Sequence, residues 1–170
     1  MNHTFGLRNH QRSSALDLRI LQRMCRYFLG VLLPKKALQI DVHFVDQAEI
    51  TRLNETFLRH KGATDVITFD YREPDSFAPI CGEVFVCVEQ AVAQARRFHT
   101  TWQSELARYI IHGVLHLAGF DDVRVIERRK MKREEDRLLR SVAGRFSLTK
   151  VGRIRQKRAK QRNNKVSEPP

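Results

Sequence analysis

The sequence predicts an α+β fold, with a small mixed β-sheet of about four strands covered by about five helices. Two observations support this prediction. Segments with helical and strand-like hydrophobic spacing alternate along the chain in the order helix, strand, helix, strand, strand, helix, helix, helix. The 170 residues, 42% of them hydrophobic, are enough for one domain with a substantial core.

The first half of the chain contains two of the helices and one strand. Residues 1–13 are polar, and we expect them to be loose. Ser14 followed by Asp17 resembles a capping box for a first helix, which Pro34 ends. Alternating apolar residues over 38–44 predict a half-buried strand, and Asp46 with Glu49 begins a second helix.

The second half contains the remaining elements. Residues 66–69 are β-branched and aromatic, and residues 83–88 continue the same character, so we expect two strands there. A short helix follows, and then a long helix from Thr101 to about Ala118, which Gly119 ends. A final helix covers about residues 124–142.

Positive charge is concentrated at the C-terminal end. The chain has 31 Lys and Arg against 19 Asp and Glu, a net charge of +12, and residues 145–170 contain nine basic residues and one acid. We therefore predict a folded domain over residues 1–144 and a basic, disordered tail over residues 145–170. Such a charge favours a nucleic acid or an anionic membrane surface as partner. The tail either contacts RNA without sequence preference or only adds solubility.

No apolar run approaches the ~20 residues that a membrane span needs. The N-terminal residues also lack the apolar centre of a signal peptide. We expect a cytoplasmic protein without a membrane partner.

The residues with the clearest chemistry follow one another on the long helix and after it. His112 and His116 are four residues apart, so both lie on one helix face, where two imidazoles can bind one ion. Gly119 allows a sharp exit from the helix, and Asp122 can then fold back as a third ligand. Three such ligands suit one zinc ion, or another divalent metal, and leave a position open as in catalytic sites.

One absence argues against proteolysis. Zinc proteases place a general-base Glu directly after the first His, whereas this chain has Gly113 there. The motif therefore indicates a different metal-dependent reaction, and it identifies no general base.

The stretch from His112 to Asp121, His-Gly-Val-Leu-His-Leu-Ala-Gly-Phe-Asp, resembles the signature of the YbeY family of bacterial ribosomal-RNA maturation factors. Leu53-Asn54, the run from Thr64 to Phe69, and Gly82-Glu83-Val84 also match that family's patterns, in the same order. The resemblance extends over about residues 36–142. The usual third ligand in the family is His, where this chain has Asp122.

The resemblance implies a zinc-dependent, single-strand endoribonuclease that matures the 3′ end of 16S ribosomal RNA and takes part in ribosome quality control. It implies ribosomal RNA and the small ribosomal subunit as partners, and Arg59, His112 and His116 as catalytic residues. Many members have Arg where this chain has Leu58, and Arg59 follows one position later. Arg59, His60 and Lys61 are our candidates for holding phosphates, although such a loop is also ordinary solvated surface.

Two other functions remain open at this point. One is a non-catalytic ribosome-assembly factor whose metal site is structural, and the other is a metal hydrolase with a small substrate. Asp121 can support a ligand or simply form a turn, and Glu83 can face either the metal site or solvent. The sequence does not indicate an oligomeric state.

Overall fold

The computed structural model describes residues 3–34, 36–73 and 78–154. In these ranges the strands are β1 (His3–Asn9), β2 (Ser14–Leu16), β3 (Leu38–Val45), β4 (Val66–Asp70), β5 (Ile80–Cys87) and β6 (Gly152–Ile154). The helices are α1 (Leu18–Leu32), α2 (Gln47–Leu53), α3 (Val88–Phe98), α4 (Trp102–Leu117) and α5 (Val125–Arg145). A π-helical turn, Asn54–Leu58, follows α2, and a 3-10 turn, Leu148–Val151, precedes β6.

The main sheet has four strands in the order β1-β3-β5-β4. Strand β3 pairs in parallel with both β1 and β5, whereas β4 pairs antiparallel with β5. A separate two-stranded sheet joins β2 to β6. The mixed four-stranded sheet and the five helices confirm the predicted α+β class.

Alternate residues of β3 place the main core on one face of the main sheet. Leu38, Ile40, Val42 and Phe44 are fully or almost fully buried in a core that also contains apolar residues of α1, α4 and α5. A second, smaller core on the opposite face includes Ile50 and Leu53 of α2 and residues of β3, β4 and β5. Helix α4 contributes many of the main core's residues, which fixes its position against the sheet.

The prediction that residues 1–13 are loose is wrong for residues 3–9. They form β1, whose Phe5 is paired with Ile40 and whose Leu7 is paired with Val42 of β3. Only these two apolar residues alternate in the segment, so its periodicity is weak. The backbone hydrogen bonds of an adjacent parallel strand supply what the sequence pattern lacks.

The first helix begins differently from the predicted capping box. Asp17 is itself the N-cap, and its carboxylate accepts hydrogen bonds from the N–H groups of Arg19 and Ile20 at 3.0 and 3.1 Å. Ser14 belongs to β2 instead. The start of α1 is therefore set by Asp17, whose carboxylate can reach the first free N–H groups of the helix.

The domain edge predicted after Gly144 falls inside the packed structure. Phe146 and Leu148 pack on the main core, Val151 is fully buried, and β6 pairs with β2. These apolar side chains are spaced among basic residues, which hides them in the overall composition. The packed fold reaches Ile154, and the rest of the predicted tail, residues 155–170, lies outside the described residues.

None of the helices in the described ranges has the length and apolar character needed to cross a membrane.

Candidate metal centre

Helix α4 carries both histidines of the candidate site. Thr101 caps the helix, and its Oγ1 accepts a hydrogen bond from the Ser104 N–H at 3.3 Å. His112 and His116 lie one turn apart on the part of α4 that faces a groove, and their side chains are 24% and 29% exposed. The predicted long helix and the shared face of the two histidines are therefore both present.

Gly113, between the histidines, lets α4 approach the sheet closely. A Cβ atom at this position would lie 2.3 Å from Val84 Cγ1 and 3.2 Å from Thr68 Oγ1. No side chain fits in that space unless Val84 and the neighbouring side chains of the sheet shift. The absence of a protease-type Glu at this position thus has a packing cause in this fold.

The chain leaves α4 through a left-handed turn at Gly119, whose φ is 94°. The Gly119 N–H donates to the His116 carbonyl at 2.9 Å, and the Phe120 N–H donates to the Leu115 carbonyl at 3.0 Å. This pair of hydrogen bonds is a Schellman motif. It turns the chain back over the end of the helix and brings Asp122 to the histidines.

The three predicted ligands converge. His112 Nε2 lies 3.1 Å from His116 Nε2 and 3.8 Å from Asp122 Oδ2, and His116 Nε2 lies 4.0 Å from Asp122 Oδ1. Zn–N and Zn–O bonds are about 2.0–2.2 Å long, so two ligand atoms on one ion are separated by at most roughly 4 Å. Among the described residues, His112, His116 and Asp122 form the group of nitrogen and oxygen donors that can hold a metal.

The hydrogen bonds on the far side of each imidazole orient the two Nε2 atoms. His112 Nδ1 lies 3.0 Å from Glu135 Oε2, and His116 Nδ1 lies 3.1 Å from the Phe120 carbonyl oxygen. A carboxylate and a carbonyl only accept hydrogen bonds, so each Nδ1 carries the proton and each Nε2 presents a lone pair. Two lone pairs 3.1 Å apart repel each other, and a metal ion bound by both would remove this repulsion, so the donor set fits a metal ion.

Glu135 is the supporting residue that the sequence interpretation missed. It is 5% exposed, and its Oε1 accepts a hydrogen bond from Lys132 Nζ at 2.8 Å and another from Arg108. Burial raises the pKa of this carboxyl, but hydrogen bonds from His112, Lys132 and Arg108 outweigh it and lower the pKa to about 2. The sequence signal that could have indicated Glu135 was its position four residues after Met131, which places it on the inward face of α5.

Burial lowers the pKa of His116 from its ordinary value, and the neighbouring His112 lowers it further. His116 is therefore neutral near pH 7. Because only a neutral imidazole has a free lone pair, this shift keeps His116 ready to bind a metal.

The groove in front of the site is formed by β4 and the loop that precedes it. Leu58, His60, Thr64 and Asp65 are among the residues that line it, together with the three ligands. His60, from the predicted basic loop, is thus brought to the metal centre. Arg59 is exposed, has a left-handed backbone conformation with φ 57°, and is not part of the groove lining.

Glu83 and Asp121, whose roles the sequence left undecided, do not contact the candidate ligands through hydrogen bonds in the described residues. Glu83 lies on the opposite face of the sheet, where its carboxylate accepts a hydrogen bond from the Tyr71 hydroxyl at 2.6 Å and lies 3.3 Å from His43 Nε2. Asp121 accepts a hydrogen bond from the Val123 N–H at 3.1 Å, which is a turn contact. Glu135, not Asp121, supports a ligand.

Comparison with known proteins agrees with this geometry. Residues 7–143 match the sequence model of the family described as Endoribonuclease YbeY. A relative of that name from Parabacteroides distasonis is 39% identical over 105 residues, which cover 62% of this chain and 72% of the relative. Another, from Chlorobium phaeovibrioides, is 38% identical over 114 residues, covering 67% of this chain and 75% of the relative.

A solved structure shows the same fold. The solution structure of TM1509 from Thermotoga maritima superposes with a TM-score of 0.62 at 26% identity, covering 86% of this chain and 93% of that protein. The match of residues 7–143 includes the whole of α4 and all three ligands. On this match the chain belongs to the YbeY family.

Proposed function

We propose that this protein is a metal-dependent endoribonuclease that cleaves single-stranded RNA, with one zinc ion or another divalent metal held by His112, His116 and Asp122. The observation that carries the proposal is the convergence of three ligand atoms at one end of a groove. Structural zinc sites are closed by four protein ligands, whereas three ligands leave a position open to substrate.

The chain's own residues account for the arrangement of this site. Glu135 and the Phe120 carbonyl hold the two imidazoles with Nε2 towards the groove, and Gly113 lets the helix sit against the sheet. A divalent metal at this position supplies charge stabilisation to a phosphodiester that is being hydrolysed. His112 and His116 would take part in catalysis through this metal, by holding it at the reacting phosphate with their Nε2 atoms.

The charge of the protein favours RNA over a small substrate. The net charge of +12 suits a polyanion, and His60 lies on the groove wall where it can meet a phosphate next to the scissile one. Arg59, next to His60 on the outer side of the loop, is proposed to hold a phosphate beyond the groove. The basic residues of the C-terminal segment extend the same electrostatic contact.

The substrate in the cell is proposed from the sequence resemblance to the YbeY family and from the positive charge together. We propose the 3′ end of 16S ribosomal RNA, on or near the small ribosomal subunit in a bacterial cytoplasm, with a contribution to ribosome quality control. The relatives named above are called endoribonucleases, which supports the reaction class.

The test combines RNA cleavage with metal content. Purified protein is incubated with a ribosomal RNA fragment, and the His116→Ala and Asp122→Ala variants are compared with His10→Ala, a control on the opposite face of the sheet. We expect the ligand variants to lose bound metal and cleavage together, while the control retains both.

Two results would contradict the proposal. Equal cleavage by the wild type and His116→Ala would show that a contaminating nuclease is responsible. A wild type that contains metal but cleaves no RNA, alone or with the small ribosomal subunit, would rule out the nuclease function and favour the ribosome-assembly factor or the small-substrate hydrolase.

A further inference from the structure

The outer surfaces of α1 and α5 are basic throughout. Every exposed residue of α1 between positions 19 and 26, and of α5 between positions 129 and 140, is Arg or Lys. Lys130, Lys132 and Arg137 lie 3.0, 2.8 and 2.6 Å from carboxylate oxygens of the same helix, so their charges are compensated. Six other side chains make no ion pair or hydrogen bond with the described residues, and we call them the arginine face: Arg19, Arg23, Arg26, Arg129, Arg133 and Arg140.

Helical spacing gathers these arginines on the side of each helix that is turned away from the core. In α1 they lie four and three residues apart, and in α5 they lie four and seven residues apart, so each set forms one row. The buried residues of both helices lie on the opposite side of the helix. Arg140 follows Arg129 by eleven positions, which makes the row on α5 ~16 Å long at ~1.5 Å per residue.

The two rows belong to one surface because α1 and α5 are neighbours. Both helices pack on the main core, and the Tyr27 hydroxyl of α1 lies 2.8 Å from Ser141 Oγ of α5. The Arg145 guanidinium of α5 lies 5.1 Å from the centre of the Tyr27 ring. Since the axes of packed helices are about 8–10 Å apart, the two rows lie side by side at about that separation.

The arginine face is turned away from the candidate metal centre. Glu135, which supports His112, is buried on the inward side of α5. Arg133, two residues earlier and exposed, lies roughly 160° around the helix axis from Glu135. A ligand of the arginine face therefore binds at a different place from the phosphate that is cleaved.

The chemistry of this surface favours one kind of partner. Six uncompensated guanidinium groups suit an anion, and arginine binds phosphate through two N–H groups at once. No exposed aromatic residue lies on α1 or α5, although proteins that bind single strands stack the bases on such residues. No exposed apolar residue lies within either row, although a helix that binds a membrane surface inserts apolar side chains. Phosphates that are presented without accessible bases are those of duplex RNA.

We propose that the arginine face binds the phosphates of duplex RNA, so that a paired segment of a folded RNA docks on α1 and α5. Two parallel rows of guanidinium groups are complementary to the two phosphate strands of a duplex. This contact goes beyond the cleavage proposed above and does not depend on it. When both operate, the paired segment anchors the RNA while an unpaired neighbouring segment enters the groove of the metal centre.

The test measures binding of full-length protein to a fluorescent RNA duplex of about 16 base pairs, the length that known duplex-binding domains span. Fluorescence anisotropy gives the affinity at several salt concentrations. Arg133→Gln combined with Arg140→Gln removes two charges from the arginine face, and the thermal unfolding midpoint should stay unchanged because both side chains are exposed and unpaired in the described structure. We expect the slope of log affinity against log salt concentration to fall by about two units, one for each lost phosphate contact.

Arg8→Gln combined with Arg52→Gln is the matched control, because it removes the same net charge from the opposite face of the main sheet. Arg8 lies 3.7 Å from a carboxylate oxygen of Asp41, and Arg52 lies 2.7 Å from one of Glu49. We expect the control to change the slope by less than about half a unit, since these arginines contact no phosphate. An equal loss of slope in the two double variants would show that only net charge matters and would overturn the proposal.

Two further probes identify other partners. If the Arg133→Gln and Arg140→Gln variant lost as much affinity for an unpaired strand of the same length as for the duplex, the surface would not recognise duplex RNA. If this variant kept the wild-type slope with the duplex but no longer bound vesicles that contain phosphatidylglycerol, the arginine face would be a membrane contact. Either result would overturn the proposal.

The outcomes for the arginine face and for the nuclease function are separable. If the duplex slope falls as expected but the wild type cleaves no RNA, the arginine face stands and the nuclease function fails. If cleavage depends on the metal ligands but the duplex slope is unchanged in the Arg133→Gln and Arg140→Gln variant, the nuclease function stands and the arginine face is refuted.

Discussion

Glu135 should determine metal affinity although it is not a ligand. We consider Glu135→Gln, which keeps the shape of the side chain and removes its charge. The amide oxygen can still accept the hydrogen bond from His112 Nδ1, so the imidazole stays in place. The variant lacks the negative charge 3.0 Å from that nitrogen, which increases the basicity of Nε2 in the wild type.

Removing the residue that supports a metal-bound histidine typically lowers metal affinity by about 10–100-fold. Because Gln keeps the hydrogen bond and removes only the charge, we expect the lower end of this range, about 1.4 kcal/mol. That corresponds to about a tenfold loss of zinc affinity. Arg108 and Lys132 keep a carboxylate partner, because Asp136 still lies 2.8 Å from Arg108 Nη1 and 3.1 Å from Lys132 Nζ.

The assay is competition for zinc with a chromophoric chelator at fixed pH. Asp136→Asn is the matched control: Asp136 contacts the same two cations as Glu135 and forms no hydrogen bond with His112. We expect the control to change zinc affinity by less than about twofold, since it removes only a half-exposed ion pair. An unchanged affinity in Glu135→Gln, or an equal loss in both variants, would refute the role assigned to Glu135.

Three further results are expected. Gly113→Ala should lower the free energy of unfolding, measured in urea, by roughly 1–3 kcal/mol, because the new Cβ meets side chains of the sheet. Gly30→Ala is the control: open space surrounds this position, so the free energy of unfolding should stay the same or rise by up to about 1 kcal/mol. Truncation after Gly144 should lower the unfolding midpoint, because it removes packed residues, whereas truncation after Ile154 should leave the midpoint unchanged. Truncation after Ile154 should also reduce the salt dependence of RNA binding, by about one unit of slope for each phosphate that the tail binds in the full chain. An unchanged slope would argue against an RNA-binding tail. In metal-free protein, the lowered pKa of Glu135 means that its ionised form stabilises the fold at pH values above the ordinary pKa of 4.5. This contribution to the free energy of unfolding should disappear as the pH falls towards 2. A difference in unfolding free energy between the wild type and Glu135→Gln that does not depend on pH would contradict this reasoning.

The ligands could be predicted because they are close in sequence. The i,i+4 spacing of His112 and His116 places them on one face of any helix, and Gly119 allows the turn that returns Asp122 to that face. Helical period and turn geometry act over a few residues. The positions of the three ligands relative to one another therefore depend little on the rest of the fold.

The predictions that residues 1–13 are loose and that the domain ends at Gly144 failed for the same reason. Residues 3–9 contain only two apolar side chains, and the apolar residues of 146–154 follow no single helical or strand period. They become ordered because β3 and β2 offer them strand partners and because the core accepts side chains such as Val151. Composition alone cannot indicate a partner that is distant in sequence.

Local periodicity and spacing were enough to predict the α+β class, the long helix and the grouping of three candidate metal ligands. The surroundings of these residues depend on tertiary packing. Glu135 of α5 meets His112 of α4, and Gly113 fits against Val84 of β5. These contacts join residues of separate elements, and they exist only once the helices have packed on the sheet.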